Sequence, residues 1–196
     1  MAAKSARSLW AARLAGKSTP GEVPEPASYQ RGPAFTGRIL GVDPSLRGTG
    51  LAALEFTRPG EARLLGSLTL KLKPDVPFPD CLGRIAETVD TAIQRYEVRT
   101  VAFEETIFVQ NFKTAQILGA ARGAALSAAA RRQADIHEYA PLRIKQAVVG
   151  FGRASKQQVA RTVQALLHLA AVLPLDEADA AAAALCHGFT SRSKKE

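Results

Sequence analysis

The chain has 196 residues, of which 46% are hydrophobic and 22% charged, which is ordinary for one globular domain with a buried core and a flexible end. No apolar run approaches the roughly 20 residues of a membrane span. The two cysteines, Cys81 and Cys186, form neither a disulfide framework nor a CxxC metal pair, which favours a reducing compartment. The net charge of +8 favours a polyanionic partner.

The first 36 residues hold five Lys or Arg against two Glu, and they are rich in Ala, Ser, Gly and Pro. This composition predicts a disordered basic arm. An amphipathic organellar transit segment also avoids acids, so that alternative stays open. We expect the folded domain over residues 37–190 and a basic tail over residues 191–196. The expected location is the cytoplasm or, on the transit alternative, an organelle.

The hydrophobic pattern after the arm predicts five strands and five helices. The first strand is an apolar run that ends at Asp43, and four more are predicted over residues 50–57, 63–72, 100–104 and 134–139. Helical spacing, capping signals and proline positions predict helices over residues 78–96, 111–132, 141–150, 155–169 and 176–187. This order predicts an α/β fold, a five-stranded mixed sheet flanked by helices, with three antiparallel strands first.

Two carboxylates stand at the ends of apolar strands. Asp43 follows the run Ile39–Val42, and Glu104 ends the run 101–103. Strand ends of one open α/β sheet converge on a common crevice, and a carboxylate buried there needs a cation or several donors. Asp43 and Glu104 are therefore candidates for one site. The alternatives are that Asp43 opens an Asp-Pro turn and that Glu104 is a solvated strand end.

A second pair of acids opens the last predicted helix. Asp176 and Asp179 are three residues apart and share one face. Helix capping is the alternative role for this pair. The alanines that follow occupy so little volume that the helix can lie close against the sheet and bring its first turn to the strand ends. Glu177 and Glu87 fit a solvated face.

Four carboxylates without a Cys or His cluster make a hard-oxygen site, which selects Mg²⁺ or Mn²⁺ over zinc. Two such ions, held by shared carboxylates, suit in-line attack of water on a phosphate. In a basic chain, this set indicates a nuclease. The three histidines are interpreted as structural, because none has an acid or Cys pattern around it: His137, His168 and His187.

Five blocks in the same order resemble the RuvC family of bacterial Holliday-junction resolvases, within the ribonuclease H-like superfamily. The resemblance covers about residues 38–190. The blocks are ILGVDP at 39–44 with Thr49-Gly50, FEE at 103–105, LGAARGAAL at 118–126, EYAPLRIKQAVVGFGRASKQQV at 138–159 and DEADAAAAALCH at 176–187. One departure is Ser45, because the family usually has glycine after Asp-Pro, where positive φ is freely available.

The resemblance implies a metal-binding catalytic quartet: Asp43, Glu104, Asp176 and Asp179. It also implies that Lys145 and Lys156 contact phosphates or the transition state, with Arg153 beside them on the DNA. The aromatic that the family inserts into the junction is assigned to Phe108, one residue past the family position at Ile107. The alternatives are that Lys156 is simply the first residue of a capped helix and that Lys145 is a solvated side chain.

The implied activity is symmetric cutting of four-way DNA junctions by a homodimer, with 5′-phosphate and 3′-hydroxyl products and with the RuvA–RuvB branch-migration complex as partner. Gly119 and Gly123, on the helix over residues 111–132, are the candidate dimer interface, although they could instead pack on the chain's own sheet. Rival functions are another ribonuclease H-like nuclease, such as a YqgF-like RNA-processing enzyme, and a junction-binding protein without cleavage.

Overall fold

Five strands form one sheet in the computed structural model, which describes residues 35–105 and 111–191. The strands are β1 (Gly37–Asp43), β2 (Gly48–Arg58), β3 (Glu61–Lys71), β4 (Thr100–Glu104) and β5 (Asp135–Tyr139). Their order is β3-β2-β1-β4-β5. The β1–β2 and β2–β3 pairs are antiparallel, and the β1–β4 and β4–β5 pairs are parallel. The predicted mixed sheet is confirmed.

Five helices cover the two faces of this sheet: α1 (Phe78–Arg95), α2 (Phe112–Arg131), α3 (Pro141–Val149), α4 (Lys156–Leu166) and α5 (Leu175–Thr190). Asn111 caps α2 through the backbone N–H of Thr114, and Ser155 with Gln158 forms the predicted capping box of α4. Helix α4 ends before the predicted position because the chain reaches a positive φ at His168. Most of the basic arm, the tail beyond Ser191, and Phe108 lie outside the described residues.

The central strand β1 is buried on both faces. Ile39 faces the core formed with α3, α4 and α5, whereas Leu40 and Val42 face the core formed with α1 and α2. All three side chains are fully buried. Alternation along a strand that lies between two helical layers explains the continuous apolar run that precedes Asp43.

Helix α5 lies close against the sheet, as its alanines predict. Every residue from Ala178 to Gly188 is buried. A Cβ added to Gly41 would overlap the carbonyl oxygen of Ala180, and one added to Gly50 would overlap that of Asp176. Only glycine in β1 and β2 allows this approach, which brings the first turn of α5 to the end of β1. None of the described helices is long and apolar enough to cross a membrane.

Candidate nuclease centre

The ends of β1 and β4 bring two of the predicted acids side by side. The last register pair of these parallel strands is Val42 with Phe103, and each next residue is one of the acids, Asp43 and Glu104. Both acids are half-buried rather than exposed. The turn after Asp43 is closed by the Thr49 hydroxyl, which donates to the carbonyl oxygen of Ser45 at 2.5 Å. Ser45 has no positive φ, so its difference from the family causes no strain here.

The start of α5 brings the other two acids to the same edge. Asp43 pairs with Gly50 across β1 and β2, and Gly50 lies against the backbone of Asp176. Asp179 is one turn further along and only 8% exposed. The N-cap of α5 is Pro174 and no side chain caps the helix, so the alternative that Asp176 is an N-cap is wrong. All four acids of the predicted quartet therefore lie at the same end of the sheet.

Burial and neighbouring acids raise the pKa values of Asp43 and Glu104. Burial, followed by the charges of Asp179 and Asp176, raises the pKa of Asp43 to about 6, although Lys156 opposes the shift. Burial, followed by the charges of Asp43 and Asp179, raises the pKa of Glu104 to about 7, opposed by Lys156 and Lys145. A cluster in which like charges raise each other's pKa is stabilised by an added cation. Carboxylates of this kind are suitable ligands for Mg²⁺ or Mn²⁺.

Lys156 supplies one positive charge within the cluster. It is the first residue of α4, and its Nζ donates to Oδ2 of Asp179 at 2.5 Å. This hydrogen bond, with the charges of Asp179, Asp43 and Glu104, raises the pKa of Lys156 against the opposing effect of burial. Lys156 is thus both the first residue of a capped helix and a partner of the candidate site. Across residues 35–105 and 111–191, no three or more His, Cys, Asp or Glu side chains form a ready set of metal ligands.

The remaining predicted site residues lie around this centre and on the other face of the sheet. Lys145, on α3, is half-buried, and its positive charge opposes the raised pKa of Glu104, so it is not simply solvated. Arg153 is exposed in the segment between α3 and α4. Gly119 and Gly123 are exposed on α2, and a Cβ added to either would meet nothing within 4 Å. The alternative that these two glycines pack on the chain's own sheet is therefore wrong.

Glu177, which lies beside the quartet, has hydrogen-bond partners that the sequence does not indicate. The carboxylate of Glu177 accepts hydrogen bonds from the hydroxyls of Ser67 at 2.5 Å and Thr69 at 3.2 Å, so its interpretation as a solvated side chain is wrong. Ser67 and Thr69 are two residues apart on β3 and therefore share a face. That spacing was visible in the sequence, but the partner 110 residues away was not.

The structural interpretation of His187 agrees with its surroundings. Its side chain is 2% exposed, and its Nδ1 lies 2.8 Å from the hydroxyl of Tyr139. The ring of His137 is 4.3 Å away between centroids. Burial, followed by the charge of His137, lowers the pKa of His187 to about 4, so the ring is neutral near pH 7. His187 therefore belongs to the core, on the side of α5 that packs against β5.

The strand order, with acids at the ends of β1 and β4 and at the start of α5, defines a nuclease of the ribonuclease H-like class. A family model described as crossover junction endodeoxyribonuclease RuvC matches residues 39–187. The chain is 45% identical over 150 residues to the RuvC of Halorhodospira halophila, covering 76% of this chain and 89% of that protein. It is 40% identical over 153 residues to the RuvC of Alkaliphilus oremlandii, covering 78% and 93%. The chain belongs to the RuvC family.

Solved structures agree with this assignment. The structure of Thermus thermophilus RuvC in complex with Holliday junction substrate superposes with a TM-score of 0.74 at 34% identity, covering 78% of this chain and 93% of that one. The yeast mitochondrial Holliday junction resolvase Ydc2 superposes with a TM-score of 0.55 at 12% identity, covering 91% of this chain and 88% of that one. The second likeness is one of fold alone.

Proposed function

We propose that this protein is a structure-selective endonuclease that resolves four-way DNA junctions by paired, symmetric hydrolysis of phosphodiester bonds. Water adds to each phosphorus, the bond to the 3′ oxygen breaks, and that oxygen takes up a proton, which leaves 5′-phosphate and 3′-hydroxyl ends. Family membership supports the proposal, as does the likeness to a RuvC that was solved with a junction. The expected role is DNA recombination and repair in the cytoplasm, the compartment of chromosomal DNA in the bacterial sources of the relatives.

The observation that carries this proposal is the placement of Asp43, Glu104, Asp176 and Asp179 at the same end of the sheet. Their effects on the pKa values of Asp43 and Glu104 indicate that the set is incomplete without a positive charge. We propose that the set holds Mg²⁺, or Mn²⁺ in its place, with two ions per centre. The chemistry that such ions supply is activation of water for in-line attack and neutralisation of the leaving oxygen.

The basic groups around the acids have separate proposed roles. Lys156 is held against Asp179 and would turn to the scissile phosphate, where its charge stabilises the transition state. Lys145 and Arg153 would contact the DNA backbone, which fixes the strand but does not select sequence. Phe108 remains the proposed aromatic that enters the junction.

A homodimer is part of the proposal because a four-way junction has two equivalent strands to cut. An isologous interface presents one centre to each strand. The open surface around Gly119 and Gly123 on α2 supports this helix as the interface, because two backbones can approach closely there. The RuvA–RuvB complex is the proposed cellular partner, and co-sedimentation with RuvA-bound junctions tests it.

One assay tests the function. A labelled four-way junction and its matching linear duplex are incubated with the protein in Mg²⁺ and in EDTA. We expect paired cuts in the junction only, in Mg²⁺ only, with ends that ligase seals. Cutting of structured RNA in preference to the junction would favour a YqgF-like enzyme. Binding without cutting in Mg²⁺ and Mn²⁺ would favour a junction-binding protein.

A further inference from the structure

The first two turns of α5 carry two of the four acids, but the helix has no side-chain cap. Its N-cap is Pro174, and none of the first backbone N–H groups receives a side-chain cap bond. Uncapped helix ends fray, so some other contact has to fix this turn. Packing on Gly41 and Gly50 sets how close α5 comes to the sheet, and a lateral contact would fix where Asp176 and Asp179 stand relative to Asp43.

The contact comes from an edge strand two positions away from β1. Glu177 accepts one hydrogen bond from the Ser67 hydroxyl and one from the Thr69 hydroxyl, both on β3. The two bonds use both carboxylate oxygens, so the side chain cannot rotate without losing one of them.

The register of the sheet relates this contact to the candidate metal centre. Asp43 pairs with Gly50 on β2, and Gly50 pairs with Thr69 on β3, so these three residues form one line across the sheet. Above the line, Asp176 lies over Gly50, and the carboxylate of Glu177 reaches Thr69. The bond to β3 therefore aligns the start of α5 with the end of β1.

We propose that Glu177 is a positioning residue, which holds Asp176 and Asp179 in register with Asp43 through Ser67 and Thr69. This role rests on the proposed metal-dependent function. Glu177 need not touch a metal ion or DNA. The geometry of its two hydrogen bonds is what matters, and its negative charge is secondary.

Two substitutions separate geometry from charge, because both remove the same negative charge. Glu177→Gln keeps the side-chain length and can still bond both hydroxyls, whereas Glu177→Ala loses both bonds. We expect Glu177→Ala to lower the Mn²⁺ affinity of the DNA-free protein by roughly 10- to 100-fold, the range for residues that orient metal ligands. Glu177→Gln should stay close to wild type. Calorimetric titration with Mn²⁺ measures both without relying on cleavage.

The double variant Ser67→Ala with Thr69→Val removes the donors and leaves Glu177 in place. It should weaken Mn²⁺ binding as Glu177→Ala does, and adding Glu177→Ala to it should have little further effect, because the three residues act through one contact. In cutting assays, high Mn²⁺ should restore much of the single-turnover rate. Junction binding in EDTA should not change.

The outcomes distinguish this role from its rivals. Equal losses in Glu177→Ala and Glu177→Gln would overturn the role by pointing to charge. A lowered unfolding temperature with normal Mn²⁺ affinity would overturn it by pointing to fold stability alone. Wild-type affinity and cutting in Glu177→Ala would refute the positioning role only. A wild-type protein that binds no Mn²⁺ and cuts no junction would refute the proposed function itself.

Discussion

The two faces of the sheet differ in how closely their helices approach it. On one face, α5 lies so near β1 and β2 that Gly41 and Gly50 have no room for a Cβ, and Gly188 of α5 lies against the ring of Phe56. On the other face, large side chains such as Leu40 and Phe103 fill the space between the sheet and the helices α1 and α2, and an open groove of about 660 Å³ runs between these helices, with the Asp90–Arg132 ion pair in its wall. The glycines of these two helices, Gly83, Gly119 and Gly123, have open space around them.

This difference separates the part of the molecule that carries the candidate centre from the part available for contacts. The close face carries Asp176 and Asp179 on its helix, so small shifts there move the acids. The open face carries none of the four acids of the candidate centre. Substitutions of the same kind should therefore have large effects on one face and small effects on the other.

Removing any one acid of the quartet should have the largest effect. We expect cutting to fall by more than about 100-fold, because changes to residues that only orient ligands already cost 10- to 100-fold. Junction binding in EDTA should survive. The variants are Asp43→Asn, Glu104→Gln, Asp176→Asn and Asp179→Asn. Single-turnover cleavage measures the loss, with Glu87→Gln on α1 as the control. An acid whose variant still cuts at a near wild-type rate is not a metal ligand.

Lys156→Ala should slow cutting of the bound junction by roughly 100-fold, the usual cost of losing one transition-state donor. It also frees Asp179, so Mn²⁺ affinity in the absence of DNA should not fall. Arg153→Ala is the matched basic variant: it should weaken junction binding and flatten its salt dependence while the rate of bound junction stays the same. The reverse pattern would mean that the roles of the two residues have been exchanged.

Gly50→Val should destabilise the fold by about 1–3 kcal/mol, the usual cost of overpacking a well-packed site. Its side chain would meet the backbone of α5, which cannot yield as a flexible side chain can. Gly119→Ala, on the open face, should instead stabilise by up to about 1 kcal/mol through helix propensity. Urea unfolding measures both. Equal destabilisation by the two changes would contradict the difference between the faces.

Burial of neutral His187 on the close face should make the fold sensitive to acid. The lowered pKa means that the unfolded chain takes up this proton more readily than the folded one. Its contribution to stability is therefore complete above about pH 6.5 and is lost as the pH falls towards 4. Besides His137, the groups that face it are Tyr139 and the more distant Asp135, whose charge opposes the shift.

His187→Gln should remove this dependence, which amounts to roughly 1 kcal/mol between pH 7 and pH 5.5. Thermal unfolding of wild type and variant across this range measures the difference. The pH-dependent contributions of Asp43 and Glu104 to stability cancel, because both proteins retain these residues. The exposed His168, replaced in the same way, is the control and should leave the profile as it is. An unchanged profile in His187→Gln would mean that the ring is not held neutral.

The smallest effect on stability is expected from a bulky residue on the open face. Gly123→Leu should lower dimer content and uncouple the two incisions without destabilising the fold, because leucine favours the helix over glycine. Light scattering and nicking of a cruciform plasmid measure the two effects. Gly83→Leu adds the same side chain on α1. Loss of the dimer in that variant alone would move the interface from α2 to α1.

The sequence was sufficient to predict the strands of the sheet and the two acids at the strand ends. Periodicity and turn residues gave the strand bounds to within about two residues, because each strand alternates between two buried or half-buried faces. Asp43 and Glu104 could be brought together by a general rule, since parallel neighbours end at the same edge.

Contacts between distant segments could not be predicted in the same way. The bond from Glu177 to Ser67 and Thr69 depends on the rotation of α5 and on the register of the edge strand, which no local pattern specifies. The pairing of Lys156 with Asp179 has the same origin. The reason for glycine at positions 41 and 50 became clear only with α5 in place, because its backbone fills the space of their side chains.

The alanine run of α5 has a consequence for how the gene tolerates mutation. Positions 178 and 180–184 are fully buried, and all hold alanine. Single base changes in an alanine codon produce glycine, serine, threonine, proline, valine, or an acidic residue, and all but glycine are larger. A larger residue on the side that faces β1 and β2 would push α5 and its two acids away from these strands. Random mutagenesis should therefore find inactive alleles at these inert methyl groups nearly as readily as at the carboxylates themselves.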